Sequence, residues 1–421
     1  MEYNILTYGA VADGTTLNTA YIQAAIDDCF AHGGGKVTVP AGVFKTGTLV
    51  LRDHIELYLA AGAVLLGSEC MEDYNSTDVY PQCWSCVSEE WLGKHIVLAC
   101  ECQHIAITGF GVIDGNGERF YGEPQPNTWS TYDWPNGLRL SKDKNTLRPG
   151  QTIALIECKH VTVENITIQN STCWSCYVHG CEYVGIRGIR VFNADNCANT
   201  DGIDVDSSRY VPISDCILLT GDDAIAIRCD EKRLKNRDVH CEYITITNCV
   251  LSSSSSVIRI GVGTGTIKHV RISNIVVKQG GAVIYYMTQY SGIGDAKIED
   301  VNFSQISVGF AGFLMKVFTP DAGFVRNITI DQVRGDFAYQ SFIKGSGNIN
   351  NVNLRNVQMH MVPTDLGRDM DLSYRGNYVL ECTGAKNLTL ENVTISGDLS
   401  AWKDKFYFQD CESVRVLNCG P

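Results

Sequence analysis

The stretch HVTVENITI, residues 160–168, alternates apolar and polar side chains on both sides of one asparagine, Asn165. This period-2 alternation predicts two short β-strands joined by a bend, rather than a helix. The same pattern recurs along most of the chain, and most of its starts are separated by about 23 to 36 residues, a spacing typical of solenoid proteins. The units begin at His104, His160, Tyr183, Tyr210, Tyr243, His269, Asp300, Asn327, Asn351, Asn387 and Ser413.

The sixth position of each unit is almost always Gly, Asn or a related polar residue. Gly and Asn tolerate the left-handed backbone conformation, so we expect the same bend in every coil, with amide side chains able to stack from coil to coil. Strands entered in the same direction in every turn must pair in parallel. The sequence therefore predicts an all-β fold, a right-handed parallel β-helix forming one domain over 1–421. These positions are Gly109, Asn165, Gly188, Asp215, Asn248, Asn274, Gln305, Gln332, Asn356, Asn392 and Asn418.

The ends of the predicted solenoid and the segments that interrupt it can also be recognised. Residues 18–35 have helical spacing and end in three glycines, which predicts a short capping helix within an N-terminal region of cap and first coils over 1–60. The segments near 70–96 and 115–148 are rich in Trp, Tyr, Pro and Asn and interrupt the repeat. We expect long loops there, where binding surfaces are commonly found.

Composition and charge exclude several classes of partner. The chain has 421 residues, a net charge of −13 and a pI of about 5.1, which argues against binding to nucleic acid or anionic membranes. No apolar run approaches the roughly 18 residues of a membrane helix. The N-terminus lacks a basic stretch followed by an apolar segment, so we expect a cytoplasmic protein, or a secreted or periplasmic one if a signal has been removed.

Eighteen cysteines are present, and CWSC occurs twice, at 83–86 and 173–176. Paired CxxC motifs are compatible with a zinc site. The alternative is buried cysteine that serves as a small apolar side chain, and most of the other cysteines also lie beside strand-like runs. We therefore expect neither a metal site nor an obligatory disulfide, and no cofactor.

Two acidic motifs lie about one coil apart. GDDAIAIR, residues 221–228, opens with Asp222 and Asp223, and NTDGIDVD from Asn199 contains Asp201. Adjacent coils stack about 4.8 Å apart, so Asp201 can lie next to the other two carboxylates. Each aspartate on its own could simply cap a turn. Like charges that converge in consecutive coils favour acid–base catalysis instead, because structure alone gives no reason to keep them together.

NTDGID and GDDAIAIR resemble the corresponding motifs of glycoside hydrolase family 28, the polygalacturonase and pectin-hydrolase family. The resemblance extends over most of the chain, through the segments 8–27, 33–51, 111–122 and 148–176. It implies an inverting hydrolysis in which Asp222 is the general acid and Asp201 with Asp223 holds and deprotonates the attacking water. Inversion requires the acid and the base to lie roughly 6.5–9.5 Å apart, with water between them.

The chain departs from the family pattern at two positions. Ser256 stands where the family carries a histidine, and 284–286 read Ile-Tyr-Tyr in place of the Arg-Ile-Lys that binds the substrate carboxylate. We expect Arg259 or Arg228 to compensate and aromatic residues to contact sugar. The predicted sugar-binding residues are Asn199, Arg228, Ser256, Arg259, Tyr285, Tyr286, Trp174, Tyr177 and His179.

These observations leave three functions open. The favoured one is a glycoside hydrolase acting on a plant-type, pectic or related poly- or oligosaccharide through altered subsites. The second is transglycosylation or a lyase-type or epimerase reaction on the same scaffold, against which retention of all three aspartates argues. The third is a carbohydrate-binding β-helix without catalysis, which has no need of a paired acid and base.

Overall fold

Parallel strands that bend tightly make up most of the described chain. The computed structural model describes residues 2–126, 138–140, 147–290, 294–320, 322–363 and 376–420. These residues belong to two compact units, one comprising the described residues of Met1–Gln125, Arg139–Gly221 and Glu231–Val239 and the other those of Pro126–Leu138, Asp222–Asp230 and His240–Pro421. The expectation of one domain over 1–421 stays a prediction.

The strands are named in chain order. The first part of the chain contains β1 (Glu2–Asn4), β2 (Asp13–Leu17), β3 (Gly35–Val39), β4 (Gly42–Thr46), β5 (Leu49–Val50), β6 (Ile55–Leu59), β7 (Ala63–Gly67), β8 (Trp91–Leu92), β9 (Val97–Cys100), β10 (Gln103–Gly109), β11 (Val112–Asp114), β12 (Pro124–Pro126), β13 (Leu138–Leu140), β14 (Arg148–Pro149), β15 (Ile153–Ile156), β16 (Lys159–Glu164), β17 (Thr167–Gln169), β18 (Cys176–His179), β19 (Glu182–Arg187), β20 (Arg190–Phe192), β21 (Ile203–Asp206), β22 (Arg209–Ser214) and β23 (Ile217–Thr220). The remainder contains β24 (Ile225–Cys229), β25 (Cys241–Gly263), β26 (Thr266–Met287), β27 (Lys297–Thr319), β28 (Phe324–Phe337), β29 (Ser341–Met361), β30 (Tyr378–Glu391), β31 (Thr394–Gly397), β32 (Asp404–Gln409) and β33 (Glu412–Leu417).

Each unit stacks equivalent apolar residues of successive coils into its own core. In the first unit one column of inward-facing residues is completely or almost completely buried. Successive members of this column pair in parallel register. Its members are Val37, Leu57, Ile107, Val163, Ile186 and Ile213. The second unit has an equivalent column, whose members from Ile246 to Leu390 are buried and whose last member, Val416, is exposed. The column is formed by Ile246, Ile272, Phe303, Ile330, Leu354, Leu390 and Val416. Period-2 alternation places these residues inside and their neighbours outside.

The predicted bends are confirmed. All eleven residues at the sixth position have positive φ, from 51° at Asn356 to 112° at Gly109. The first residue of each repeat also has positive φ, for example 57° at His160, and the sequence pattern did not predict this second bend. Amides stack as expected, since the side-chain Nδ2 of Asn392 donates to Oδ1 of Asn356 at 2.9 Å.

The predicted N-terminal helix is confirmed as α1 (Thr19–Ala31), which buries Ile22, Ala25, Ile26 and Cys29. Gln23 on this helix donates from Nε2 to the carbonyl of Val50 at 3.0 Å, and its Oε1 accepts from the Val50 amide at 2.9 Å. The helix therefore covers strand β5, satisfying backbone groups of a strand end. None of the helices in the described ranges has the length and apolarity needed to span a bilayer.

The two predicted loop segments differ in how much of them is described. The segment near 70–96 contains two 3₁₀ turns, Met71–Asp73 and Val87–Glu89, and the two-residue strand β8; the loop insertion stays a prediction. Much of the segment near 115–148 lies outside the described residues. Thirteen of the eighteen cysteines are buried, including both members of the second CWSC motif, as expected for apolar filling.

Candidate active site

The serine run of β25 packs directly against the paired aspartates that precede β24, all within the second unit. Ser253 donates from Oγ to the carbonyl oxygen of Asp222 at 2.7 Å. The backbone amide of Ser256 donates to Oδ1 of Asp223 at 3.1 Å, and the amide of Ala224 donates to the Ser256 carbonyl at 2.9 Å. Short polar side chains allow this close approach, and these contacts hold the backbone of Asp222 and the carboxylate of Asp223 in place.

Asp223 forms a buried ion pair with Arg259. Nε of Arg259 lies 2.5 Å from Oδ2 of Asp223, and the two side chains are 14% and 1% exposed. Burial raises the pKa of the Asp223 carboxyl above its ordinary value, and nearby Asp222 acts in the same direction, while Arg259 and the Ser256 amide lower it. Arg259 therefore offsets part of the effect of burial and favours the ionised form of this carboxyl.

Arg228 and Ser256, both predicted to bind sugar, are largely buried. Arg228 is 9% exposed and lies where the pairing of β24 with β25 shifts register, a type of irregularity that can redirect a side chain. Ser256 is 1% exposed, and both its backbone amide and its side chain lower the pKa of Asp223. Its binding of a sugar hydroxyl stays a prediction.

The two adjacent tyrosines of β26 point in opposite directions. Tyr286 is completely buried, and burial raises the pKa of its phenol well above the ordinary value. Alternation along the strand turns Tyr286 into the core beside Phe303, and its contact with sugar stays a prediction that this burial disfavours. Tyr285 lies on the outer face, half-buried, with the ammonium group of Lys316 at 4.4 Å from its ring centre.

The NTD motif lies in the first unit, and a buried arginine holds its asparagine. Asn199 has a left-handed backbone, with φ of 56°. Arg148, itself 1% exposed, donates from Nη2 to Oδ1 of Asn199 at 2.9 Å and to the carbonyl of Glu89 at 3.0 Å. The carboxylate of Glu89 accepts from Nε1 of Trp91 at 3.0 Å. The loop containing Glu89 and Trp91 therefore fixes the backbone that leads into Asp201.

The backbone around Asp201 is held by further buried polar residues of the first unit. Asn193 donates from Nδ2 to the carbonyl of Thr200 at 3.1 Å, and the amide of Ser175 donates to the carbonyl of Asp201 at 2.9 Å. Asp201 is 1% exposed. Its carboxylate thus occupies a position that the surrounding backbone determines and that solvent barely reaches.

The three residues predicted from the second CWSC segment form a buried aromatic group. Trp174, Tyr177 and His179 are 3%, 1% and 1% exposed. The ring centre of Tyr177 lies 5.2 Å from that of Trp174 and 5.2 Å from that of His179. Trp174 packs against Trp91, with ring centres 5.6 Å apart. Their side chains support the loop rather than present a face to solvent, so their contact with sugar stays a prediction.

Sequence reasoning missed three residues of this region, which are Arg148, Glu89 and Asp206. Asp206 is buried on β21 and accepts hydrogen bonds from Ser207 at 2.9 Å and Tyr177 at 3.4 Å. Arg148 stands in an Arg-Pro-Gly segment beside a loop, where an exposed arginine is the ordinary expectation. The repeated Asp at 204 and 206 was the available signal for Asp206, since alternate carboxylates on one strand share a face.

The chain belongs to glycosyl hydrolases family 28, whose family model matches residues 29–334. It is 32% identical over 259 residues to an exo-poly-alpha-D-galacturonosidase of Dickeya chrysanthemi, covering 53% of this chain and 41% of that protein. It is 29% identical over 286 residues to a probable polygalacturonase of Vitis vinifera, covering 65% and 54%. The matched regions thus span about half the length of these relatives.

Solved structures show the same fold. A family 28 exopolygalacturonase of Yersinia enterocolitica superposes with a TM-score of 0.73 at 20% identity, covering 98% of this chain and 78% of that one. An exopolygalacturonase of Thermotoga maritima gives 0.67 at 22% identity, covering 99% and 91%. These proteins are right-handed parallel β-helices, and the predicted fold class is confirmed.

Proposed function

We propose that the chain is an inverting glycoside hydrolase that cleaves a pectic or related poly- or oligosaccharide through altered subsites. The observation that carries the proposal is the buried Asp223–Arg259 ion pair beside Asp222, held by the serine run. Family membership supports the reaction class. The substrates named for the relatives, polygalacturonates, support the substrate class.

In the proposed mechanism the aspartates have distinct roles. Asp222 donates a proton to the leaving glycosidic oxygen, and Asp201 with Asp223 orients and deprotonates water that attacks the anomeric carbon from the opposite face. A base must be ionised before it accepts a proton. Arg259 supports this role for Asp223, because its positive charge favours the carboxylate that burial alone would protonate.

The altered subsite is proposed at the position of the missing Arg-Ile-Lys. Ile284 and Tyr286 are buried, which leaves Tyr285 as the outward side chain of this triplet. Arg259 has its Nε engaged by Asp223. The cation nearest to the Tyr285 ring is Lys316, which is itself buried in the next coil. A phenol face in place of the Arg and Lys of the triplet favours a neutral or differently substituted sugar over galacturonate next to the scissile bond, since a poorly solvated carboxylate there would face enzyme carboxylates.

The test is incubation with polygalacturonate and with neutral and mixed pectic oligosaccharides, with products read by mass and anomeric configuration. We expect hydrolysis with inversion and a higher kcat/KM on the mixed or neutral oligosaccharides than on polygalacturonate. Arg259→Lys serves as the matched variant, because it keeps a charge but cannot reproduce the guanidinium contact.

Three outcomes would contradict the proposal. Retention of configuration would overturn the mechanism, and unsaturated products would indicate a lyase. Binding without any product would support the non-catalytic alternative. Efficient cleavage of polygalacturonate that is unchanged in Arg259→Lys and Arg228→Lys would contradict the proposal of an altered subsite.

A further inference from the structure

Strands β9, β15, β18 and β21 of the first unit are buried on both faces. Alternation turns one set of their side chains into the core and the other set outward. The outward residues pair from coil to coil and form a column of Leu98, Ala154, Tyr177 and Asp204. Each of these four residues is at most 1% exposed, so other parts of the first unit must cover the column.

A segment that lies between β24 and β25 in the sequence covers the earliest coils of this column. Residues 231–239, called the cover segment below, belong to the first unit. Leu234 of the cover segment is 2% exposed and packs into an apolar cluster on the outward face of β9 and β15. A cluster packed in this way is closed to a saccharide. Its buried members are Cys83, Leu98, Ala154, Ile156 and Leu234.

Polar contacts fasten the cover segment beside this cluster. Nζ of Lys235 forms an ion pair with Oε1 of Glu101. The backbone amide of Asn236 donates to Oε1 of Glu157 at 3.0 Å. Gln82 is completely buried and donates from Nε2 to both carboxylates, at 2.9 Å to Glu101 and at 2.6 Å to Glu157. These contacts hold the cover segment in one position on the first unit.

Aromatic residues continue the cover over Tyr177. Tyr177 clusters with Trp91 and Trp174, and Trp84 packs against this group. Cζ of Arg233, in the cover segment, lies 5.1 Å from the ring centre of Trp84, within the range of cation–π attraction. The cover segment and the loop near 70–96 therefore form one continuous layer over β9, β15 and β18.

This layer reaches close to the motif that contains Asp201. Asp204 follows Asp201 by three residues and pairs with Tyr177 in the column. At about 4.8 Å per coil, Ala154 lies roughly 10 Å along the coils from Asp204. A saccharide that extends from Asp201 towards the earlier coils would therefore meet the apolar cluster after about two sugar rings at most.

We propose that the cover segment closes the substrate-binding surface on the side of the earlier coils, so that the enzyme removes short pieces from the end of a saccharide. A bond in the middle of a long saccharide reaches Asp201 only if the saccharide continues past it in both directions. The layer over β9 and β15 prevents this on one side. The inference rests on the proposed function, because it takes Asp201 to serve the hydrolysis.

The first test compares the loss of viscosity with the number of bonds cleaved, using the polymeric pectic substrate that is hydrolysed best. We expect the wild type to lower viscosity slowly and to release only mono- and disaccharides from the first time point. Leu234→Ser places a hydroxyl in the apolar cluster and should loosen the cover. This variant, and one in which residues 231–239 are replaced by a Gly-Gly-Ser linker, should release products of intermediate length.

Two control variants match the effects on folding and on charge. Leu354 is 1% exposed in the core of the second unit, so Leu354→Ser should lower stability and leave the product lengths unchanged. Lys235→Met removes the ion pair with Glu101 and should lengthen the products. Lys386→Met removes an ion pair with Glu412 at 3.1 Å in the second unit and should not lengthen them.

The second test does not require hydrolysis. It measures the binding of defined pectic oligosaccharides that carry a bulky fluorophore at one end or at the other, in an Asp222→Asn background. We expect the fluorophore to abolish binding at one end and to be tolerated at the other, because only one end of the saccharide enters the closed side. Leu234→Ser should restore part of the binding of the excluded form, and Leu354→Ser should not.

The outcomes separate this proposal from the proposed function. Products of all lengths from the wild type, or binding that does not depend on the labelled end, would overturn the closure even if the enzyme hydrolyses pectic substrates. Equal product lengths in Leu234→Ser and Leu354→Ser would remove the role of the cover segment. Discrimination between the two labelled ends without any hydrolysis would support the closure and contradict the proposed function.

Discussion

Asp223 illustrates how single residues set the chemistry of this protein. It is almost completely buried, yet Arg259 lies 2.5 Å away and the Ser256 amide donates to it. Burial raises its pKa and these two groups lower it. The pKa is raised overall, and Arg259 favours the ionised form that the proposed base requires.

We predict that Asp222→Asn lowers kcat by about 10² to 10⁴, the usual loss for a general acid. Asp201→Asn and Asp223→Asn should also be severe, because both carboxylates serve the water. The measurement is kcat on the best substrate of the panel, with circular dichroism to check folding. The matched control is Asp215→Asn, an exposed aspartate at a bend that asparagine tolerates equally well. Near-normal turnover of Asp222→Asn would exclude its assignment as the acid.

A second prediction concerns pH. Arg259 lowers the pKa of Asp223, so Arg259→Met should raise it further. The base acts only when ionised, so the acid limb of the pH–kcat profile should move to higher pH, while the alkaline limb stays in place. Arg259→Lys should move the limb less. An acid limb at the same pH in wild type and Arg259→Met would show that Asp223 does not determine it.

The repeating element is a strand–bend–strand unit with two left-handed residues, one at its first and one at its sixth position. Gly109 and Gly188 both occupy the sixth position but differ in what surrounds them. A Cβ at Gly109 would lie 2.0 Å from the Leu59 carbonyl oxygen, whereas one at Gly188 would meet the side-chain oxygen of Asn165 at 2.6 Å. Backbone cannot move aside easily, but an amide side chain can.

These two glycines therefore provide a matched pair for stability. Gly109→Ala should lower the free energy of unfolding by about 2 kcal/mol or more, because it combines a φ of 112° with a backbone clash. Gly188→Asn should change it by less than about 1 kcal/mol, since asparagine tolerates this conformation. Denaturant unfolding of both variants measures the difference. Equal free energies of unfolding for the two variants would mean that contact with the neighbouring backbone does not determine which side chains are tolerated at Gly109.

At the scale of the whole molecule, buried thiols contribute to the core in both units. Cys158 and Cys181 lie in consecutive coils of the first unit, and the amide of Cys158 donates to Sγ of Cys181 at 3.2 Å. Burial raises the pKa of the Cys83 thiol to about 11 and that of Cys176 to about 12. These thiols therefore remain protonated at neutral pH, which disfavours both metal binding and oxidation.

We accordingly predict that the purified protein contains no stoichiometric zinc and that chelators leave its activity intact. Elemental analysis of the full chain before and after chelation is the measurement, with thiol titration under denaturing conditions to count reduced cysteines. About one zinc per chain, or activity that disappears on chelation and returns with metal, would contradict this interpretation.

The sequence by itself determined the coil architecture, the sixth-position bends, α1 and the position of the acidic motifs. Alternation, helical spacing and left-handed tolerance depend on residues close together in the chain, so a local pattern is sufficient to predict them. Family resemblance added the roles proposed for the aspartates.

Only the tertiary structure decided what depends on contacts between distant residues. The pairing of Asp223 with Arg259, the burial of Arg148 against Asn199 and the inward turn of Tyr286 each require a neighbour from another strand or loop. Parallel stacking brings such residues together, and because each coil differs in length, their register cannot be read from local sequence.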